Sequence, residues 1–433
     1  MNWRKPIIFA LLKITGSKIP SILKEIEQID NSSKKEIEDY QKDKLEKILL
    51  HAWKNVPYYS KVLTKARVVV DGKVNLENFD KIPVLTKDII RKEGKNLYSK
   101  DYKKRKFYEN TSGGSTGEPV RFIQDKEYDE WNNSTKIYYK LLNKQDIGEK
   151  ELRFWGSERD LLEGKEKRSI RFRNWLYNRK EFNAFKMSEK DMFDFVEKWN
   201  NFNPSWIEAY VQSIYEFAKF VKKNNLKVIT PKNGILTSAG TLYLDMKKTI
   251  EETFNCKVYN RYGSREVGGI ACSNKNFNKL KISFWHNYLE ILNKKNKTFG
   301  KVILTPLNNY SMPLIRYDIG DIAVKGKNTL NLNKIKGRDV GLIKTTDGKL
   351  IDGEFFTHLF YYKYWVEKFQ VIQKSVNRIQ ISIVGKKNVF DMKNIELDIK
   401  KVMGKECVIK WRFVKEILSK ENGKYEFVRR EIK

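Results

Sequence analysis

The strongest constraint on the fold is an alternation of strand-like and helix-like stretches between Glu151 and Asn260. ELRFWG (residues 151–156) reads as a strand ending in a glycine turn, and 191–202 reads as a helix. SWIEAYV (205–211) is a strand pattern, followed by a helix over 212–223, a strand over 228–236, a helix over 244–254 and a strand over 257–260. Strands that alternate with helices of this length predict an α/β architecture with parallel strand segments. From Leu280 to Val324 the pattern changes to short strands in succession, which predicts an antiparallel meander. KGRDVGLIKTTDGKL (336–350) reads as a domain junction. Beyond it lies a small α+β pattern: helix 353–362, strands 366–373 and 378–384, helix 392–403 and strand 408–414. Upstream, 26–53 and 127–142 read as helices, Thr86 caps another, and 157–186 reads as an irregular, basic, aromatic surface element.

At 433 residues the chain is too long for one ordinary core. A net charge of +32 invites nucleic acid or an anionic membrane as a partner. The lysines run along the whole chain, with no RNP signature, no zinc-finger spacing and no basic tail, so no nucleic acid is expected. Three dispersed cysteines, Cys256, Cys272 and Cys407, offer no disulfide framework and suit a reducing cytosol. The three histidines are equally scattered, so no zinc is expected. No apolar run reaches the roughly 18 residues that span a bilayer. The opening MNWRKPIIFALLKITGSKIP mixes Trp3, Ile7, Ile8, Leu11 and Leu12 with Arg4, Lys5 and Lys13. That pattern fits either a helix lying on a membrane surface or one packed on the protein's own core.

Four short segments and the C-terminus carry candidate chemistry. TSGGSTGEPV (111–120) follows a run of basic residues. Glycine backbones that approach a ligand closely, together with hydroxyls, can cradle phosphate oxygens, although the G-x-x-x-x-G-K-[ST] spacing is absent. Read alone, the loop suits a phosphate cradle or a surface turn equally. YNRYGSREVGG (259–269) ends a strand in a turn bearing Tyr262, Ser264 and Glu266. A carboxylate there can hold Mg²⁺, and an exposed tyrosine can stack on a base. In MPLIRYDIGD (312–321), Asp321 can accept hydrogen bonds from ribose hydroxyls. Arg338 in Gly337-Arg338 can grip an anion bidentately. Lys424 follows the Asn422-Gly423 turn and can stabilise developing negative charge. Each of these segments could equally be a solvated turn.

The order of these segments is that of the adenylate-forming superfamily of acyl and aryl ligases. The chain resembles its phenylacetate–CoA ligase-like branch, the CapK family. HAWKNVPYYSKVL, FDKIPVLTKDII, NPSWIEAYVQSIYEFAKF and GILTSAGTLYLDMKKTIEETFNCKVYNRYGSRE are similar to that family's segments, and the resemblance runs from about His51 to Lys433. It implies ATP and Mg²⁺ as cofactors. Ser112, Gly113, Gly114, Ser115, Thr116 and Gly117 would hold the triphosphate, with Thr116 and Glu266 serving Mg²⁺. Tyr262, Gly263 and Ser264 would border the adenine, Asp321 would take the ribose with Arg338 close by, and Lys424 would contact the reacting groups. Tyr210, Ser238, Ala239 and Gly240 would line the acid pocket. Three departures stand out. Ala239-Gly240-Thr241 replaces the usual SGE, Asp339 follows Arg338 directly, and the cysteine/histidine cluster of some relatives is reduced to Cys272 and His286.

The resulting expectation is an α/β fold with a large N-terminal adenylate-forming domain of β-sheets and packed helices plus a small α+β C-terminal domain. Its parts are an N-terminal helical segment (1–50), an ATP- and acyl-binding domain (51–336) and a small mobile domain (337–433). The expected function is activation of a carboxylic acid as its acyl-adenylate and transfer to a sugar amine or hydroxyl or to a thiol, in capsular or surface polysaccharide assembly. The expected place is the cytoplasm, with a peripheral position at the inner face of the membrane. The competing expectation is a non-catalytic scaffold at a membrane surface that keeps the same fold.

Overall fold

Capping residues set the helix boundaries that hydrophobic periodicity leaves open. The stretch 26–53 is not one helix. Ser33 accepts a hydrogen bond from the Glu36 N–H while the Glu36 carboxylate accepts one from the Ser33 N–H, and this capping box starts a new helix. The computed structural model describes residues 2–112, 120–155, 168–184, 187, 189–274, 277–293, 299–326, 330–338, 342–346, 350–360, 363, 365–417 and 427–432. Two compact units divide the chain. The first comprises Met1–Leu242, Lys247–Ile319 and Ala323–Lys334, and the second comprises Tyr243–Met246, Gly320–Ile322 and Ile335–Lys433.

The first unit opens with helices α1 (Arg4–Ile14), α2 (Ile19–Asp30), α3 (Lys34–Asn55) and α4 (Pro57–Lys65). The small hairpin β1 (Val69–Val70) and β2 (Lys73–Val74) follows, then α5 (Lys87–Glu93), capped as expected by Thr86 through the Ile89 N–H. The hairpin β3 (Phe107–Thr111) and β4 (Arg121–Asp125) carries the glycine loop between its strands. Then come α6 (Lys126–Leu142), β5 (Glu151–Trp155), α7 (Arg168–Leu176), β6 (Arg179–Asn183), α8 (Glu189–Phe202), β7 (Trp206–Tyr210), α9 (Val211–Lys223), β8 (Ile235–Ser238) and α10 (Leu244–Phe254). The series continues with β9 (Val258–Ser264), β10 (Gly268–Asn274), β11 (Phe277–Ile282), β12 (Asn287–Leu292), β13 (Phe299–Pro306), β14 (Tyr317–Lys325) and β15 (Asn331–Arg338).

Eleven strands form one sheet in the order β12-β13-β14-β15-β11-β10-β9-β8-β7-β5-β6. Its β9-β8-β7-β5-β6 half is parallel, and the strand–helix alternation predicts this for all of these strands but β6. The β9–β10, β10–β11, β11–β15 and β12–β13 pairs are antiparallel. Phe154, Phe182, Phe195, Trp199, Phe217 and Phe254 pack together, with stacked pairs such as Trp199–Phe254 at 4.9 Å between ring centroids. These rings bury large apolar area, which supplies most of the drive for this half of the fold. Helix α1 turns Ile8 inward onto Ile147 and Leu176, so part of its apolar surface is on the protein's own core.

Several expectations fail for local reasons. The span 157–186 is not irregular throughout: 168–176 is a helix, and 179–183 is a strand paired parallel with β5. Residues 228–234 form no ladder, and strand β8 begins only at Ile235. Residues 312–316 precede β14 and are not part of it.

The second unit contains the hairpin β16 (Leu342–Lys344) and β17 (Leu350–Asp352), α11 (Gly353–Phe360), β18 (Val366–Ser375), β19 (Arg378–Gly385), α12 (Val389–Met403), β20 (Val408–Phe413) and β21 (Val428–Arg430). Strands β18 and β19 pair antiparallel, while β20 and β21 add in parallel on the two sides. Phe356, Phe360, Trp365, Phe369, Ile381, Ile395 and Ile399 fill its core. These elements follow the sequence expectation closely from α11 to β20, while the β16–β17 hairpin, in the stretch read as a junction, and β21 were missed.

Candidate active site

In an open α/β sheet, ligands bind beyond the carboxyl ends of the parallel strands. Here those ends are Trp155 on β5, Tyr210 on β7, Ser238 on β8 and Ser264 on β9. Tyr210 lies opposite Ser238 in the ladder, and its ring tilts against Trp155 with centroids 4.2 Å apart. After Ser238 the backbone turns through Ala239, whose φ is +63°, to Gly240. A methyl group at Gly240 would stand 3.2 Å from the Val211 side chain. The four expected acid-pocket residues therefore lie at adjoining strand ends, and Trp155 joins them. The sequence reading passed over Trp155 because only the ladder register brings it beside Tyr210.

The turn from β9 into β10 carries Tyr262, Gly263, Ser264 and Glu266. A methyl at Gly263 would lie 2.5 Å from the Gly268 carbonyl oxygen, so glycine is needed there for strand approach. Glu266 is buried, and Tyr317 donates its hydroxyl to Oε1 at 3.4 Å. Ser264 Oγ is buried with no hydrogen-bond partner among the described residues. An orphan hydroxyl beside a weakly engaged buried carboxylate is costly unless a polar ligand completes it. The oxygen donors suit a hard divalent cation or a phosphate group, so these residues fit Mg²⁺ and a nucleotide.

The glycine-loop hairpin is tied to this turn. Gln124 of β4 donates from Nε2 to the carbonyl oxygens of Arg265 at 2.8 Å and Glu266 at 3.2 Å. The next residue, Asp125, caps α6 through the Tyr128 N–H and accepts from the Tyr310 and Ser311 N–H groups. Ser112 closes the base of the loop: its Oγ accepts from the Val120 N–H at 2.9 Å, and its own N–H donates to the Val120 carbonyl. Gly113, Gly114, Ser115, Thr116 and Gly117 lie outside the described residues, as does Lys424. Asp321 lies on β14, and Arg338 ends β15. Both belong to the second unit. Gln124 and Asp125 were missed in the sequence because the groups they hold at this site, the Arg265 and Glu266 carbonyls and the Tyr310 and Ser311 N–H groups, are at least 141 residues away.

On the face of the sheet turned toward α6 lies a cluster of buried charges. The Glu208 carboxylate meets Arg261 at 2.6 Å, Lys140 at 3.1 Å and Arg153 at 3.4 Å. Glu151 meets Arg179 at 2.8 Å and Lys140 at 3.3 Å. Burial alone would raise the Glu208 carboxyl, but Lys140, Arg261, Arg153 and Arg179 hold it well below the usual carboxylate range. Burial, and after it the neighbouring Arg261, push the Lys136 ammonium down to about 8.

The chain resembles known proteins over most of its length. Residues 343–431 match the family model of the CapK C-terminal domain. The chain is 26% identical over 415 residues to Protein CapK of Staphylococcus aureus, covering 91% of this chain and 89% of that one. A crystal structure of 2-hydroxyisobutyryl-CoA ligase in the postadenylation state, in complex with R3-HIB-AMP, superposes with a TM-score of 0.69. It shares 15% identity and covers 93% of this chain and 90% of that one. The fold is that of the adenylate-forming ligases. The same fold recurs in O-succinylbenzoate coenzyme A synthetase from Bacillus subtilis, in complex with ATP and magnesium ion. That likeness has a TM-score of 0.52 and 14% identity, over 74% of this chain and 68% of that one. The resemblance to CapK carried by the ordered motifs is thus borne out.

Proposed function

We propose that this protein is a ligase that activates a carboxylic acid with ATP and passes the acyl group to an acceptor. The observation that carries this reading is the turn Ser264–Glu266. It supplies a buried carboxylate and an orphan hydroxyl at the carboxyl end of β9, bound through Gln124 to the hairpin that bears the Ser112–Gly117 loop. Among solved structures of this fold, O-succinylbenzoate coenzyme A synthetase is in complex with ATP and magnesium ion, and 2-hydroxyisobutyryl-CoA ligase with R3-HIB-AMP.

In the first step a carboxylate oxygen of the acid attacks the α-phosphorus of ATP, forming the acyl–phosphate bond and releasing pyrophosphate. In the second, a nucleophile on the acceptor attacks the acyl carbon and AMP leaves. Ser112–Gly117 cradle the phosphates, Glu266 and Thr116 hold Mg²⁺, and Tyr262 with Gly263 and Ser264 borders the adenine. Asp321 takes the ribose hydroxyls, Arg338 the neighbouring phosphate, and Lys424 the developing negative charge at the reacting carboxylate. Mg²⁺ when bound spreads the phosphate charge. The protein's own part is positioning and electrostatic stabilisation. The acid rests on Trp155, Tyr210 and Ser238–Gly240, and the acceptor is a sugar amine or hydroxyl or a thiol such as coenzyme A. Surface polysaccharide assembly is the role that the likeness to CapK favours.

Calorimetry with ATP·Mg²⁺ on the wild type and on Asp321→Ala tests this reading. Binding by the wild type that the variant loses upholds it, followed by acid-dependent pyrophosphate release. A folded wild type that binds no ATP overturns it.

A second observation favours work at a membrane surface. Trp3, which caps the start of α1, is 49% exposed and Ile14 at the other end of that helix 81%, while Phe172 and Trp175 of α7 are 59% and 56% exposed. Trp3 and Trp175 meet edge to face at 6.4 Å, and Phe172 meets Trp175 at 5.8 Å, so the two helices form one apolar patch. Lys13 of α1 and Arg168, Arg171 and Arg173 of α7 are exposed on the same two helices. Aromatic and aliphatic side chains on helices that also carry basic residues suit the interface of an anionic bilayer.

A further inference from the structure

The acid pocket is bordered by more positive charge than its neighbours balance. Helix α6 runs along the sheet face from the β9–β10 turn toward the start of β5. At its upper part Asn132 Oδ1 accepts from the Gly269 N–H, and two turns later Lys140 reaches Glu151 and Glu208. Lys136 lies midway, four residues from each, and so points to the same face of the sheet. Its electrostatic neighbours are Arg261, Glu208, Asp129 and Lys140. Lys140 spends its ammonium on Glu151 and Glu208, Arg261 on Glu208, and Arg179 on Glu151. Arg153 divides among Glu208, Glu181 and Glu151. Among the described residues no hydrogen bond or ion pair holds the Lys136 ammonium.

The five cations Lys136, Lys140, Arg153, Arg179 and Arg261 thus face two deeply buried carboxylates, Glu151 and Glu208, with Glu181 and Asp129 toward the margin. Register places this charge beside the acid pocket. Arg153 is two residues before Trp155, Glu208 two before Tyr210, and Arg153 and Glu208 are paired in the ladder. Arg261 is three residues before Ser264, about 10 Å along the strand at the rise of an extended chain. An acid whose reacting carboxylate sits at the strand ends can therefore extend a second group of its own down to Lys136 and Arg261.

Resting on the acid-activation reading above, we propose that the acid this protein activates carries a second anionic group, a dicarboxylic acid being the simplest case, and that Lys136 with Arg261 behind it receives that group. A desolvated ammonium between an arginine and a lysine pays in self-repulsion. A substrate carboxylate beside it relieves that repulsion and forms a charge-assisted hydrogen bond. A neutral aliphatic or aromatic tail instead leaves the ammonium desolvated and unpaired. The aromatic pair Trp155–Tyr210 packs against the carbon chain between the two ends.

The test is pyrophosphate release with matched acids, hexanoate against adipate and phenylacetate against 4-carboxyphenylacetate, on wild type, Lys136→Met and Lys136→Arg. The expected wild-type preference for the diacid in kcat/KM is roughly 10- to 100-fold, the worth of one hydrogen-bonded charge. Lys136→Met should lose that preference, and Lys136→Arg, which keeps the charge, should retain much of it. Faster turnover of the monoacids, or a preference unchanged in Lys136→Met, overturns the proposal while leaving acid activation standing. Silence toward all four acids also overturns it, and calorimetry then separates the cases. Retained ATP·Mg²⁺ binding preserves the adenylation reading, and its absence removes that reading too.

Discussion

Arg261 on β9 and Glu208 on β7 meet at 2.6 Å across the intervening strand β8, with both side chains almost wholly shielded from water. Lys140 and Arg153 approach the same carboxylate, so one glutamate neutralises three cations drawn from a helix and two strands. Removing one partner of such a buried pair leaves the rest charged and dry, which costs about 3–5 kcal/mol. Glu208→Gln should therefore lower the thermal midpoint clearly in a differential scanning measurement. The carboxyl is held below its ordinary value, so its contribution is present above the unfolded value of about 4.3 and lost as the pH falls through the folded one. The deficit of the variant relative to wild type should accordingly be full at pH 7 and shrink only in strong acid. A variant as stable as wild type at pH 7 would mean that the cluster is compensated in another way.

His286 governs a different pH window. It is fully buried, Asn308 lies against Nδ1 at 3.3 Å, and Nε2 has no partner among the described residues. Burial, with Lys136 and Lys44 adding to it, pushes the imidazole down to about 3. The unfolded chain takes up a proton near pH 6.5 while the folded chain does not. Stability is therefore complete above about pH 6.5 and falls by up to about 1.4 kcal/mol per pH unit below it. His51, also lowered by burial, contributes in the same direction. Thermal midpoints measured from pH 7 to 4.5, above the range where Glu208 titrates, should drop for wild type and drop less for His286→Asn. Parallel curves would show that His286 is not the sensor.

Much of this architecture is legible in the sequence, and the exceptions share a physical cause. Strand–helix alternation pointed to parallel pairing of β5, β7, β8 and β9 because stretches rich in β-branched and aromatic residues, such as SWIEAYV, alternate with helical ones. Hydrophobic pattern also located most of the second unit to within a few residues. It failed where a local hydrogen bond decides the outcome, as at Ser33, and in 168–183, where basic residues between aromatics mask a helix and an edge strand. The strand ends Tyr210, Ser238 and Ser264 could be singled out because turns follow them. The cluster of Glu208, Lys140, Arg153 and Arg261 could not. Its members lie up to 121 residues apart, in a chain where charged residues are common everywhere, and only the ladder register and α6 bring them together. The same holds for Gln124 and its carbonyl partners.

Gly268 illustrates how tightly α6 fits the β9–β10 turn. Its φ is +70°, and a methyl group there would stand 2.5 Å from Asn132 Oδ1 and 2.8 Å from His286 Nε2. Gly268→Ala thus combines a left-handed backbone with a clash against two buried polar groups, and a loss of about 3 kcal/mol or more is expected. Because the turn carries Glu266, ATP·Mg²⁺ affinity should fall with stability. Chemical denaturation and calorimetry on the same preparation check both effects, and an unperturbed Gly268→Ala would contradict the packing described.

The apolar patch shared by α1 and α7 should bind vesicles in a way that separates its two components. Trp3 and Trp175 supply interfacial aromatic area, while Lys13, Arg168, Arg171 and Arg173 supply charge worth about 1 kcal/mol each near an anionic surface. Flotation with vesicles rich in anionic lipid should recover the wild type at low salt and less of it as salt rises, since screening weakens the pull on these basic residues. The double variant Trp3→Ala, Trp175→Ala should float poorly at every salt concentration while keeping its thermal midpoint, because both rings are about half exposed. Neutral vesicles should recover little of either protein. Equal flotation of wild type and double variant on anionic vesicles would assign the attraction to the net charge of +32 as a whole and remove the case for a dedicated docking face.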